Sequence, residues 1–231
     1  MFQNYSNYTM AGSARDFMYK VYGWMGTALA ISAAIAFYVA STPEVYTSLF
    51  RSPGLVLLIC FAQLGIVLFL GWKIQKLSYS GVIASYVIYA ALSGLTLSTV
   101  LLVYTFESVA LTLVITAGMF SFMALYGYFT KADLTSLGNI ILMGLFGLIL
   151  AMFANMWFRS SVAEYYISLF GVAIFTLLTA YDVQNIKRLG ESLMGDAESR
   201  GKASVMCALQ LYLDFVNLFL YLLRLFGKRR N

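Results

Sequence analysis

Histidine is absent from the sequence. Histidine is a frequent metal ligand and the side chain whose charge normally changes near neutral pH. Its absence excludes His-based metal sites and leaves carboxylates as the groups expected to sense protons. Cysteine is also scarce: Cys60 and Cys207 lie within apolar runs, which is typical of small buried hydrophobic side chains and not of a disulfide framework.

Charged residues are scarce as well. They make up 11% of the 231 residues, whereas hydrophobic residues make up 61% and the mean hydropathy is +0.80. A soluble domain is about half apolar and about a quarter charged. The composition therefore indicates an integral membrane protein that crosses the bilayer several times. The fold class is all-α, because the strands of a membrane barrel would show alternating rather than continuous apolar runs.

Seven apolar stretches are long enough to cross a bilayer, since about 20 helical residues span the hydrocarbon core. They form a predicted seven-helix transmembrane domain over residues 20–227, with a short basic tail at 228–231 and one long hydrophilic connection around 185–203. The two prolines, Pro43 and Pro53, fall in the first connection, where a helix break is needed. The expected spans are 21–41, 54–72, 81–104, 108–129, 137–158, 165–184 and 204–226.

Residues 1–19 form a polar N-terminal tail. The tail has no apolar core followed by a small-residue cleavage site, so we do not expect a cleaved signal peptide. We expect either a mobile cytoplasmic tail or a handle that a partner protein or protease can grip.

The distribution of basic residues predicts the orientation. With the N-terminus in the cytoplasm, the opposite loops carry only Arg51 and Arg159, and the remaining basic residues before the last span fall on the cytoplasmic side. The net charge of +5 is therefore explained by loops and tail and not by a nucleic-acid surface. The basic cluster from Arg224 to Arg230 disagrees with this orientation, because seven spans place it outside the cytoplasm. Either the cluster fails to override the orientation set by the earlier spans, or the last segment enters the membrane and returns to the same side.

Two aspartates interrupt the last two apolar stretches, Asp182 near the end of the sixth and Asp214 within the seventh. A charge at the centre of a membrane helix costs roughly 2.5–3.5 kcal/mol on insertion scales, so such residues normally face a protein interior or a wet cavity. Consecutive spans run antiparallel, which makes each aspartate the other's most plausible neighbour. Gln210, Asp214, Asn217 and Tyr221 recur at helical spacing, which predicts a polar face directed into the bundle.

Two carboxyl groups held close cannot both ionise cheaply, so the pair is expected to share a proton and to titrate as one unit. Carboxylate oxygens are also ligands that calcium prefers, which makes transient calcium binding by Asp182 and Asp214 an open expectation. Such a pair suits a proton-sensitive gate on a cation path. The alternative is a structural role, with the carboxylates satisfied by hydrogen bonds or by Lys73 or Lys76. Gln63 in the second span could support the same interior.

No enzyme site is visible in the sequence. It contains no His-based metal motif, no Gly-rich phosphate loop and no nucleophile elbow, and we expect no cofactor. An intramembrane aspartyl protease would also use two aspartates on adjacent helices. Neither AYDVQ nor YLDFV, the surroundings of Asp182 and Asp214, carries the glycine next to aspartate that is typical of those enzymes.

Four motifs together resemble the Bax inhibitor family in its bacterial inner-membrane branch: TAYDVQNIK at 179–187, LYLDFVNLFLYLLRLFG at 211–227, SGLTLS at 93–98 and GYFTKADLTSLG at 127–138. The resemblance covers the chain from about residue 15 onward. It implies seven spans with the last near the centre of the bundle. It also implies a pH-sensitive calcium leak channel in which Asp182 and Asp214 share a proton and close the pore.

Two positions depart from the family pattern. Gln63 stands where members commonly carry Glu, and Ile74 stands where some carry an Arg that binds the carboxylate pair. Lys73 or Lys76 could substitute from a neighbouring turn, although an ammonium group cannot reproduce bidentate guanidinium geometry.

The resemblance leaves a second functional hypothesis open. It also implies a membrane stress-response protein that binds and modulates a membrane-bound AAA protease through its N-terminal tail, without conducting ions. The expected partners are therefore membrane lipid, a passing calcium ion and such a protease.

Overall fold

The computed structural model describes the backbone of residues 2–193 and 196–230, and the side chains of these residues except 2–12 and 53. The described residues form eight α-helices. They are α1 Phe2–Ser41, α2 Pro43–Phe50, α3 Pro53–Lys73, α4 Tyr79–Val103, α5 Phe106–Phe129, α6 Thr135–Phe158, α7 Ser161–Ser192 and α8 Ala197–Phe226.

Seven of these helices are long and apolar enough to cross a membrane, which confirms the number and the approximate positions of the predicted spans. The remaining helix, α2, is short and lies inside the first connection. Pro43 begins α2 and Pro53 begins α3, because the fixed φ of proline suits the first position of a helix. The prolines thus start helices in the segment where the sequence predicted only a break.

The connection expected around residues 185–203 is mostly helical. α7 continues to Ser192 and α8 begins at Ala197. Hydropathy marks the part of a helix that lies in lipid and carries no information on how far the helix continues into water. The two aspartate-bearing helices are therefore longer than their apolar parts.

The segment expected to be an N-terminal tail is helical from Phe2 and continuous with the first span. Its second part is packed: Ala14 and Phe17 are buried and contact Gly190, and Arg200 donates hydrogen bonds to Ser13. Residues 13–19 thus belong to the folded body. The partner-binding role expected of the tail falls on side chains before residue 13, which lie outside the described residues.

The chain divides into two compact units. The first contains Met1–Tyr104, Gly190–Tyr212 and Arg230–Asn231, and the second contains Thr105–Leu189 and Leu213–Arg229. α8 contributes to both, and it is the most buried of the seven long helices: 67% of its apolar window is buried, against 11% to 33% for the others. The last helix is thus the one most enclosed by protein among the candidate spans.

In the first unit, α1 and α4 pack closely at Gly94, where an added Cβ would lie 2.8 Å from both the Ile35 side chain and the Ser32 carbonyl oxygen. The buried hydroxyl of Ser32 lies 2.8 Å from the carbonyl oxygen of Ala90 and 2.7 Å from the hydroxyl of Tyr212. These contacts join α1, α4 and the middle of α8. Small residues allow such close approach, since packing rather than hydrophobicity holds membrane helices together.

In the second unit, α8 ends beside the start of α5. The N–H of Thr105 donates to the carbonyl oxygen of Lys228 at 3.0 Å, and the N–H of Lys228 donates to the hydroxyl of Ser108 at 3.0 Å. Arg229 pairs at 3.7 Å with Glu164 in the first turn of α7. α8 is continuous and does not turn back, so the re-entrant alternative for the last segment is wrong.

Candidate functional site

Asp182 on α7 and Asp214 on α8 lie together inside the second unit. Their exposed fractions are 1% and 3%, and their side chains interact with each other. Two buried carboxyl groups held close cannot both ionise cheaply, so a proton shared between them is favoured. The structure thus brings the two aspartates together as the order of the spans suggested, while their gating role stays a prediction.

The residue that follows each aspartate is apolar and buried. Val183 follows Asp182 and is fully buried; on α8, Phe215 packs edge-on against Phe120 of α5, with ring centres 5.5 Å apart. Oδ2 of Asp214 has no hydrogen-bond partner in the part of the chain that the structure describes. A buried acceptor without a partner costs about 1–3 kcal/mol, so a proton, a water molecule or a cation is favoured at this oxygen.

The pair is too small for a tight metal site. Within residues 2–193 and 196–230, no group of three or more His, Cys, Asp or Glu side chains is placed to hold a metal ion. Calcium takes about six to eight oxygen ligands, and two carboxylates supply at most about four of them.

α7 is held on the side opposite to Asp182. Successive helical residues are about 100° apart, so Ala180, Gln184 and Lys187 share one face and Asp182 points about 200° away from Ala180. α5 touches this face directly, because a Cβ on Gly127 would overlap the carbonyl oxygen of Ala180. One side of α7 thus packs on α5, and the other carries Asp182 towards α8.

Gln184 binds the α5–α6 connection, residues 130–134. The side chain is buried, with 5% exposed, and both ends of its amide are used. Nε2 donates to the carbonyl oxygen of Ala132 at 2.8 Å, and Oε1 accepts from the N–H of Leu134 at 3.0 Å. Leu134 is buried in turn, so the connection is fixed by a polar and an apolar contact.

Two basic side chains extend this contact along the same face. Lys187 donates to the carbonyl oxygen of Tyr128 at 2.9 Å and lies 4.7 Å from the centre of the Tyr128 ring. Arg188 binds Asp133 and the hydroxyl of Thr135, both at 2.8 Å. We refer to the contacts of Gln184, Lys187 and Arg188 with residues 128–135 as the clamp. Sequence reasoning missed the clamp, although the spacing of these polar residues at i, i+3 and i+4 was an available signal.

The other residues that were predicted to support the aspartate pair make contacts elsewhere. Gln63, Lys73, Lys76 and Gln210 belong to the first unit and Asn217 to the second. Gln63 donates to the carbonyl oxygen of Leu92 at 3.2 Å, and the ammonium of Lys73 lies 4.6 Å from the centre of the Trp72 ring. Lys76 is exposed.

The polar face predicted along α8 is not continuous. Gln210 is exposed while Asp214 is buried. Asn217 donates to the carbonyl oxygen of Leu213 in its own helix at 2.8 Å, and the hydroxyl of Tyr221 lies 3.1 Å from the sulfur of Met152. The four residues do lie on one side of α8, as their helical spacing predicted. The helices next to α8 change along its length, however, so that of these four residues Asp214 is the one that meets another carboxyl group.

A concave feature of the second unit lies away from the aspartates. It is a cavity of about 640 Å³ along the seam of α6 and α7, bounded by small residues of α6 such as Gly147 and Ala151 and by bulky ones of α7 such as Phe170. Its lining is almost entirely apolar and includes neither Asp182 nor Asp214. It therefore does not add to the chemistry of the pair.

Comparison with known proteins gives one consistent relationship. A family model described as inhibitor of apoptosis-promoting Bax1 matches residues 14–231. Inner membrane protein YbhL of Escherichia coli K12 is 45% identical over 217 residues, which cover 94% of this chain and 93% of that protein. A protein of Borreliella burgdorferi is 43% identical over 215 residues, 93% of each chain, and protein RP147 of Rickettsia prowazekii is 39% identical over 225 residues, 97% of this chain and 94% of its own. The matched region contains both aspartates and the clamp.

Proposed function

This chain belongs to the Bax inhibitor family of integral membrane proteins, and from that membership we propose that it is a pH-sensitive calcium leak channel gated by Asp182 and Asp214. The observation that carries the proposal is the contact between the two carboxyl groups, which are buried together on successive spanning helices. Ionisable residues inside spanning helices normally mark an ion or proton pathway.

The gate follows from the chemistry of this contact. With one proton shared, the two carboxyl groups attract and hold α7 against α8. Without it, two negative charges face each other in apolar surroundings, and the resulting repulsion is relieved by separation of the helices or by entry of a cation. Loss of the proton therefore opens the path and supplies the charge that draws a cation in.

Calcium suits this path because it prefers carboxylate and carbonyl oxygens. Conduction requires binding that is strong enough for entry and weak enough for release. A site with two carboxylates meets both needs, since it attracts a divalent cation without completing its coordination.

The surrounding membrane and the orientation are part of the proposal. The Escherichia coli relative is an inner membrane protein, and we place this chain in a bacterial inner (plasma) membrane. Its N-terminus is cytoplasmic, which puts Arg51 and Arg159 on the far side and most other basic residues inside.

The test is calcium entry into liposomes that contain the purified protein, measured across about pH 6 to 8. We expect the wild type to leak more as pH rises. Asp214→Asn and Asp182→Asn each remove one of the two charges, so repulsion cannot develop and the leak should stay low and independent of pH.

Glu107→Gln is the matched control, because Glu107 is an exposed carboxylate at the start of α5. It should leave the pH profile as in the wild type. An unchanged profile in both aspartate variants would refute the gate, and a wild type that leaks no more than empty liposomes at any pH would refute the channel.

A further inference from the structure

The clamp lies on the face of α7 that is opposite to Asp182, and it is built from side chains that the gate itself does not use. Gln184 is its buried member, and the amide bonds the backbone of residues 132 and 134 from both ends. Lys187 and Arg188 bind the same stretch closer to water.

The geometry couples this clamp to the aspartate. Gln184 is two residues after Asp182, which is about 3 Å along the helix axis and about 200° around it. A rotation of α7 that weakened the two amide bonds would therefore swing Asp182 sideways relative to Asp214. Backbone contact between Gly127 and Ala180 on the clamped face opposes the same rotation.

We infer that Gln184 is a positioning residue for the aspartate pair: by bonding both ends of its amide to the α5–α6 connection, it fixes the rotation of α7 and so the geometry in which Asp182 meets Asp214. This inference deepens the proposed function and rests on it for its effect on the leak. Within the described residues, Asp182 is the titratable group that acts on Asp214, so a change in the geometry of this contact should change the proton exchange of Asp214.

The first measurement tests the clamp without any use of ion flux. Lys131 is exposed in the α5–α6 connection and offers a trypsin site. Gln184→Leu removes both amide bonds, and we expect cleavage after Lys131 to become severalfold faster than in the wild type. Thr116→Val is the control: it removes a buried hydroxyl that bonds Thr112 within α5, away from the connection, and should leave cleavage unchanged.

The second measurement tests positioning. The infrared band of the protonated carboxyl, identified by its loss in Asp214→Asn, is followed as a function of pH. If Gln184→Leu lets Asp182 move away from Asp214, mutual repulsion weakens and the band should disappear at a pH lower by about half a unit or more. Thr116→Val, which also loses a buried hydrogen bond, should titrate as the wild type does.

A second variant guards against failure of the first to fold. Gln184→Glu keeps the size and the acceptor for Leu134 but loses the donor to Ala132, and it should give smaller changes in the same directions.

The possible outcomes distinguish the positioning role of Gln184 from the proposed channel function. Unchanged cleavage at Lys131 overturns the clamp, and faster cleavage with an unchanged carboxyl titration overturns positioning and leaves a structural contact. A shifted titration in a protein that does not leak calcium supports positioning and refutes the proposed channel.

Discussion

The carboxyl groups of this protein differ in the groups that surround them. Asp182 and Asp214 have each other and apolar neighbours, whereas Asp133 is exposed and bound by Thr135 and Arg188. The hydroxyl of Thr135, then Arg188 and the N–H of Thr135, hold the pKa of Asp133 at about 2, below its ordinary value of 3.8. Asp133 therefore stays ionised near neutral pH, across the range proposed for the gate.

The lowered pKa of Asp133 predicts how the stability of the protein changes at acidic pH. A lowered pKa in the folded state means that Asp133 contributes stability that is complete above pH 3.8 and is lost as pH falls towards about 2. Thr135→Val removes the hydroxyl bond, so the pKa of Asp133 should rise towards 3.8, as measured by carbon-13 NMR of the carboxyl group. Thr27→Val, which removes an exposed hydroxyl on α1, should not move it; equal titration in both variants would contradict the assigned cause.

In the second unit, α7 makes close contacts with three neighbouring helices. Gly127 of α5 meets the backbone of Ala180, and Gly138 of α6 lies under the ring of Tyr181. On α8, the ring of Tyr221 lies over Gly171 of α7 itself. In lipid, such close approaches at glycine supply the van der Waals contact that orients helices. The helix that carries Asp182 is thus held from three sides.

Two glycines of α5 give a matched test of this packing. Gly127→Ala places a methyl group against the carbonyl oxygen of Ala180 and should lower the free energy of unfolding by about 1–3 kcal/mol, the usual cost of overpacking. Gly118→Ala meets nothing within 4 Å and should be neutral or stabilising by up to about 1 kcal/mol, because alanine favours helix. Thermal unfolding in detergent measures both; equal stability of the two variants would exclude a tight contact between α5 and α7.

At the level of the whole molecule, seven helices of the described residues are long and apolar enough to cross a membrane, and seven crossings would put the two ends of the chain on opposite sides. The contacts of residues 228 and 229 with the starts of α5 and α7 identify the end of the second unit at which the chain finishes. In the proposed orientation the basic C-terminal cluster is opposite to the N-terminus, although the distribution of charge favours basic residues on the cytoplasmic side. The first span usually dominates the orientation, whereas added C-terminal charges can invert it.

Reporter fusions test this topology. Alkaline phosphatase fused after residue 231 should be active, because the C-terminus is expected outside the cytoplasm, and the same enzyme inserted between α7 and α8 should be inactive. A fluorescent protein, which requires the cytoplasm, should give the opposite pattern at the two positions. Phosphatase activity at the position between α7 and α8 would mean that the proposed orientation is inverted.

The sequence by itself determined the all-α membrane class and the seven spans, and it singled out Asp182 and Asp214 as charges within apolar stretches. Each of these depends on a local property: the length of an apolar run, or one charge within it. The nearness of Asp182 and Asp214 also followed, because consecutive spans run antiparallel and a charge in lipid needs a partner.

Only the tertiary structure decided how each helix is rotated and what its polar groups bind. Gln184 is buried in the clamp, Gln210 is exposed, and Lys73 lies over Trp72, yet all three occur in apolar or membrane-flanking sequence that gives no sign of these differences. The physical reason is that lipid is as apolar as the protein interior, so hydrophobic periodicity cannot mark the face that packs. Rotation is set by small-residue contacts and hydrogen bonds between segments distant in sequence, which exist only once the helices have assembled.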